Sequence, residues 1–496
     1  MWRRPWLSAL LSSLVLALPA GAGEPDPTPL LVNPDLVRWL GDRPEGWSVT
    51  PGAMRSADGP EATLAELDGG GLALEGVDAT HRWPLLAQRV AMAPSSTVEA
   101  SFDVRLARLG DGSADFASHY VAVLALDASG KVLATALRDV WAEDFVTERL
   151  VLRCPADTTQ VELRIFLSRV GRLEVKRVRL RRLAPADSLE VLAGAVARLH
   201  PGVADEDVRW DARVALVGLG PAAIAEAETF LPAAIALLGA LRDEHVVVVG
   251  RDGRRHPTFA KPIEVGFSFP AVRAALESFE VEPSVLLSGT TPDGLAYVLV
   301  DSLPSDARRA DKLEKAARNA VAAPGLLVDL RTCSGGDEQV AQRMVRWWAD
   351  RDRVYARTET RSGPDPTSFV EVEPRRIGPP DGYAHDKPIV VLLGPGCVSS
   401  GEGLALMLRS LPHAKLVGRF TRGSSGNPQP IPLPNGLTVL CSTWRTRLPD
   451  GAFLEDVGVP PDVRVEGLPT PDGRDPQLEA ALVALRQLVA ERAAKK

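Results

Sequence analysis

The chain has 496 residues, 45% hydrophobic and 24% charged, the balance of an ordinary globular protein too long for a single core. Its formal charge of −7 leaves no basic excess, so a nucleic-acid partner is not expected, because phosphate binding needs clustered Lys and Arg. Four cysteines, Cys154, Cys333, Cys397 and Cys441, are too few for a disulfide scaffold and match no zinc-ribbon spacing; buried thiols are expected, with one bridge among the last three left open.

Residues 1–22, MWRRPWLSALLSSLVLALPAGA, place two arginines before an uncharged apolar run that ends in small residues. This is the pattern of a secretory signal peptide and predicts a secreted or periplasmic protein. Pro19 breaks the run short of the roughly 20 residues a membrane helix needs, and no later segment is apolar enough to span a bilayer.

Residues 28–183 follow in short segments of period two, including VEASFDVRLARL, YVAVLALDASGKVLATAL and TERLVLRC. Such alternation, with a DASGK turn between two segments, predicts an antiparallel β-sandwich. Trp39, Trp47, Trp83 and Trp141 fall here, where aromatics either fill a core or stack on sugar rings. The opening VNPDLVRWLGDRPEGW resembles the start of jelly-roll carbohydrate-binding modules, which implies a glycan as an additional partner.

From residue 185 the period changes. ADSLEVLAGAVARLHP sets Leu189, Leu192, Val196 and Leu199 on one helical face, and LPAAIALLGALRDEH repeats the pattern with Pro232 in its first turn. Residues 185–245 therefore predict a small helical subdomain ending in the strand HVVVVG, followed by a connector to residue 290. Between 291 and 468, LAYVLV, GLLVDLR, PIVVLL and KLVG alternate with amphipathic helical segments, which predicts an α/β layer with parallel crossovers. The Pro-rich stretch GPDPTSFVEVEPRRIGPPDG is expected to be a surface loop, and 469–496 to form a closing helix.

The chemistry concentrates in four places. GPGCVSSGEGLA puts Ser399 and Ser400 where a buried strand hands over to a helix, a turn that suits a nucleophile beside free N–H groups and equally suits a helix cap. GLLVDLRTCSGGDEQ ends another strand in Gly335 and Gly336, which fit an oxyanion site or an ordinary turn. LRDEHVVV puts His245 just before a strand, and LPDGAFLEDVGVPPD puts Glu455 in a late turn. Read alone, His245 is a strand-edge histidine and Glu455 a solvated acid. No paired histidine spacing indicates a metal, so neither metal nor cofactor is expected.

In the chain order GLLVDLRTCSGGDEQ, PIVVLLGPGCVSSGEGLAL and LPDGAFLEDVGVPPDVRV, with LVGRFTRGSSGNPQPIPLPNGLTV between the last two, these signatures resemble the S41 peptidases: the tail-specific or C-terminal processing proteases, the tricorn protease core and the repeats of interphotoreceptor retinoid-binding protein. The resemblance covers about 185–468. It implies a crotonase-like α/β core and a serine peptidase acting on peptide or protein substrates by acyl transfer; with the expected signal peptide and β-sandwich, the whole reads as an exported multidomain α+β protein. By it Ser399, three residues before Glu402, is the nucleophile, and the backbone N–H groups of Ser400 and of Gly335 or Gly336 hold the oxyanion. Processing proteases use a lysine base in a downstream turn. Here that turn reads TRGSSG with Ser424 in the lysine position, and a serine cannot serve as that base. The tricorn-like branch implies His245 as base and Glu455 as orienting acid, imidazole being able to take the serine proton and return it to the leaving amine. Glu244, where that branch has a serine, is a second candidate for orienting His245, and His256 is a reserve base. The interval from His245 to Gly294 is too short for the PDZ module that many processing proteases carry. The alternative is a catalytically inactive ligand- or glycan-binding protein on the same fold. The sequence gives no indication of oligomeric state.

Overall fold

The structure, a computed structural model, describes residues 30–41, 43–51, 63–76, 84–109, 119–167, 171–372, 374–448 and 450–495. The expected signal peptide at 1–22 and Trp83 lie outside these residues.

Alternation in the N-terminal part builds two five-stranded antiparallel sheets. One runs in the order Val146–Arg153, Thr97–Leu109, Gly171–Arg182, Leu72–Gly76 and Thr63–Glu66. The other runs Ser48–Pro51, Pro84–Ala91, Gln160–Leu167, His119–Leu126 and Val132–Asp139. Because successive side chains point to opposite faces, Val98, Ala100, Phe102 and Val104 of one sheet and Val121, Val123, Val161 and Leu163 of the other enter a single core. Trp47 is buried in that core, whereas Trp141 packs edge-on against His119.

The helices that follow do not stand alone. Leu192 of helix Ser188–Leu199 and Phe230 of helix Ala227–Gly239 share a core with Val248 and with Val439 and Leu433 from far along the chain. Strand Val247–Val249 lies between Arg255–Pro257 and Thr438–Cys441, with Val248 opposite both His256 and Val439. This pairing carries the turn containing His245 to the C-terminal part of the molecule.

There the central layer is a seven-stranded sheet, ordered Ser278–Glu282, Leu286–Thr290, Ala296–Val300, Leu326–Asp329, Ile389–Leu393, Ala414–Gly418 and Val463–Arg464. From Ala296 onward the pairing is parallel, as expected of apolar strands joined by helical crossovers. Helices Ala307–Ala320, Glu338–Val345 and Ser400–Arg409 pack on one face, against Val298, Val328 and Val391. Helix Pro476–Ala494 and helix Phe269–Ala275 cover the other face, against Leu299, Leu327 and Val390.

Two expectations change. Two strands from the expected connector extend the central sheet in antiparallel fashion, so the layer begins at Ser278 and not near 291. The expected Pro-rich surface loop contains strands Phe369–Glu371 and Arg375–Ile377, both paired with Arg353–Arg361. Its prolines all fall outside the paired residues, where no ladder donor is lost. The four cysteines are buried free thiols.

One ionic cluster fastens the layers. Fully buried Arg331, just past strand Leu326–Asp329, donates to Asp329 Oδ2 at 2.7 Å, to Asp475 Oδ2 at 2.8 Å and to the Gly266 carbonyl at 2.8 Å. Asp475 also caps helix Pro476–Ala494 through the Leu478 N–H, and Tyr297 donates to Asp329. Substituting Arg331→Met would leave two buried carboxylates without their counter-charge, a loss of about 3–5 kcal/mol. A urea unfolding transition shifted by that amount is expected; an unchanged transition would refute a structural role for the cluster.

Candidate active site

Ser399 is the N-cap of helix Ser400–Arg409 and holds φ 60° and ψ −132°, a backbone conformation that residues with a side chain rarely adopt. A serine serving as a cap would turn its hydroxyl onto the first-turn N–H groups. Ser399 does not, and among the described residues nothing hydrogen-bonds its Oγ. The turn is pinned by backbone instead: Ser399 N–H donates to the Ser424 carbonyl at 2.9 Å, and Val398 N–H to the Cys333 carbonyl at 3.0 Å.

Gly335 and Gly336 press against this turn. A Cβ on Gly335 would lie 2.8 Å from Ser399 Cβ, and one on Gly336 would lie 2.0 Å from the Leu303 carbonyl oxygen. The bridge to Leu303 uses the carbonyl of Gly335 and the N–H of Asp337, which leaves the Gly336 N–H outside it. The Ser400 N–H, first in its helix, has no intrahelical acceptor. The Ser400 hydroxyl donates to the Gly336 carbonyl at 2.7 Å and so locks the two segments together. A cavity of about 260 Å³ opens at Ser399, lined also by Glu338, Arg375, Leu406 and Trp444.

His245 stands one residue away from the nucleophile candidate. Its Nδ1 lies 2.8 Å from Ser424 Oγ and 3.6 Å from Asp243 Oδ1, and its own N–H donates to Asp243 at 2.8 Å. The other Asp243 oxygen meets His200 Nε2 at 3.0 Å. Because His200 Nδ1 accepts the Gly202 N–H, its remaining proton sits on Nε2 and is donated to Asp243. Burial works against ionised Asp243, yet the hydrogen bonds and charges of His200 and His245 hold its carboxyl well below the usual range. No hydrogen bond joins His245 to Ser399 among the described residues. The two are linked through Ser424, which touches each of them.

The two glutamates expected to orient the histidine do other work. Glu455 accepts from Ser425 Oγ at 2.5 Å and from the Thr446 N–H at 2.9 Å, and burial raises its carboxyl. With both donors on the serine turn and its neighbouring strand, it fixes the residue beside Ser424 without meeting His245. Glu244 pairs with Arg422 at 2.9 Å and accepts the Lys261 N–H, so this guanidinium has captured it. The acid beside the imidazole is Asp243, one residue earlier. His256 lies on its strand across from Val248, with no hydrogen bond to Ser399.

Sequence reasoning used Glu402 only as a spacing mark. In the structure it is fully buried, and it accepts from Thr421 Oγ1 at 2.5 Å, Gly423 N–H at 2.7 Å and Ser424 N–H at 2.8 Å. Burial pushes its carboxyl up to about 7 against the pull of those donors. The available signal was an acid in the otherwise apolar first turns of its helix. Among the described residues, no group of three or more His, Cys, Asp or Glu side chains could hold a metal ion.

A strained serine with an unengaged hydroxyl, two unused amides beside it and a histidine–aspartate pair one residue away form the layout of a serine-nucleophile site. Residues 294–465 match the model of peptidase family S41. The carboxy-terminal processing protease CtpB of Bacillus subtilis is 22% identical over 142 residues, 29% of this chain and 28% of that protein. The chloroplastic C-terminal processing peptidase of Tetradesmus obliquus is 26% identical over 194 residues, 38% of this chain and 39% of that protein. The chain thus spans well under half the length of these curated relatives. A crystal structure of a putative peptidase from Parabacteroides merdae has a similar fold, with a TM-score of 0.53 at 20% identity over 61% of this chain and 97% of that one.

With its folded carboxyl near 7 and an ordinary value of 4.5, Glu402 binds more protons folded than unfolded in between. The stability this contributes is fully present below about 4.5 and is lost as pH rises through about 7. Glu402→Gln is therefore expected to reduce the loss of urea stability between mildly acidic and mildly alkaline pH by on the order of 2–3 kcal/mol. An unaltered pH dependence would show that Glu402 is already ionised in the acidic folded state.

Proposed function

We propose that the protein is an exported serine peptidase that hydrolyses peptide bonds by acyl transfer. In this reading the N-terminal sheets are a β-sandwich and the seven-stranded layer is a crotonase-like core. The observation that carries the proposal is Ser399 itself: a strained backbone presents a hydroxyl that no cap bond uses, at the mouth of a cavity.

Ser399 Oγ attacks the substrate carbonyl as His245 Nε2 takes its proton. Nδ1 keeps its hydrogen, turned toward Ser424 Oγ with ionised Asp243 beside it, which supports the imidazolium as it forms. His200, behind Asp243, keeps that carboxylate in place. The negative oxygen of the tetrahedral intermediate falls between the N–H groups of Ser400 and Gly336. His245 then gives its proton to the leaving amine, and water, deprotonated by the same imidazole, releases the acyl group.

A catalytically inactive binding protein on the same fold is the second reading. It is favoured by the missing hydrogen bond between His245 and Ser399. Intact mass after treatment with a fluorophosphonate separates the two readings. The peptidase reading expects one adduct on wild type, none on Ser399→Ala, and adduct formation slowed about a hundredfold or more in His245→Ala. It also expects casein hydrolysis that Ser399→Ala abolishes. A folded wild type that forms no adduct would leave the binding-protein reading in possession.

A further inference from the structure

We propose that the cavity between the N-terminal sheets and the Ser399 domain is a binding site for an acidic peptide segment of the substrate. It rests on the peptidase reading for the identity of its occupant. The cavity measures about 1030 Å³ and is walled by strands Val132–Asp139 and Val146–Arg153, helix Ser188–Leu199 and residues 427–432. Asn427 and Trp444 line both this cavity and the smaller one at Ser399. A chain with its reactive bond at Ser399 therefore reaches the larger cavity by passing these two residues.

The lining is cationic in a chain whose formal charge is −7: five arginines face only two carboxylates, Asp139 and Glu148. Arg153 donates to the carbonyls of Leu433 and Leu437, and Arg361 to those of Ala197, Gly363 and Pro366. Neither has a carboxylate within ion-pair distance among the described residues. Arg138 lies 3.9 Å from Glu148, which Arg198 already engages.

Among the described residues, four buried polar atoms here have no hydrogen-bond partner: Nε of Arg138, Nε of Arg361, Nε1 of Trp444 and Oγ1 of Thr358. Arg361 is 8% exposed and Thr358 1%. Cations and donors withdrawn from water without hydrogen-bond partners are costly to a fold unless something completes them. Burial lowers the pKa of Arg138, Arg153 and Arg361, only partly offset by Glu148 at Arg138 and Asp365 at Arg361. Carboxylates supply the acceptors that all four donors lack. The wall shared with the Ser399 cavity makes their carrier the chain to be cut.

The test uses the full chain with Ser399→Ala, which cannot turn a peptide over, and fluorescence anisotropy with a labelled Ala/Glu peptide and its Ala/Gln counterpart of equal length. The Glu peptide is expected to bind at least about tenfold more tightly, the size of one charge-assisted hydrogen bond. Arg138→Gln and Arg361→Gln should each remove most of that difference. Arg138, whose side chain is more exposed than that of Arg361, is the safer variant should Arg361→Gln fail to fold. Equal affinity for the two peptides, a preference that survives Arg138→Gln, or tight binding of a polyuronate in place of the Glu peptide would overturn the proposal. Binding of the Glu peptide by a protein whose wild type forms no fluorophosphonate adduct would keep the anionic-peptide cavity and remove the peptidase. An adduct without the preference would do the reverse.

Discussion

The buried carboxylate of Glu402 joins the helix that begins at Ser399 to the loop that contains Ser424. A glutamate without solvent contact is tolerated only when its oxygens are occupied, and here a hydroxyl and two backbone amides fill them. Those donors lie at Thr421, Gly423 and Ser424, so one side chain sets the course of the whole turn. The position of the turn in its turn places the Ser424 carbonyl against the Ser399 N–H and the Ser424 hydroxyl against His245. The flanking glycines are required by space as well as conformation. A Cβ on Gly423 would meet the Gly458 N–H nitrogen at 2.8 Å, and one on Gly426 would meet His245 Nδ1 at 2.7 Å. The GSSG run is thus a fixed bracket whose two hydroxyls diverge, Ser424 to the histidine and Ser425 to Glu455.

The histidine reaches that bracket by strand pairing. His245 lies almost 180 residues before Ser424 in the chain, and the ladder between Val247–Val249 and Thr438–Cys441 closes the gap. The helices packed on that ladder contribute His200, so the acid behind the imidazole is gripped from two sides. The same closure sets the N-terminal sheets beside the Ser399 domain, and the arginine-lined cavity forms where they meet.

What could be read from the sequence was local. Period-two alternation marked the N-terminal strands, and apolar runs between amphipathic segments marked the parallel layer, because both patterns follow from which side chains face a core. Ser399, Gly335 and Gly336 were visible because strand-to-helix turns have their own chemistry. The arrangement of acids around His245 was not. Asp243 and Glu244 are adjacent acids, and only the tertiary placement of Arg422 decides that Glu244 is drawn away and Asp243 is left beside the ring. Glu402 was hidden for the same reason: its value lies in donors from the 421–424 loop, which sequence spacing cannot place. The strands inside the Pro-rich stretch were masked by prolines that prove to flank the paired residues.

The most direct test is a crystal structure of the protein phosphonylated at Ser399. The account predicts a phosphonyl oxygen about 2.7–3.1 Å from the N–H nitrogens of both Ser400 and Gly336, with His245 Nε2 facing the ester oxygen of Ser399. An adduct whose oxygen turns to solvent away from both amides, or one formed on any other residue, would contradict it.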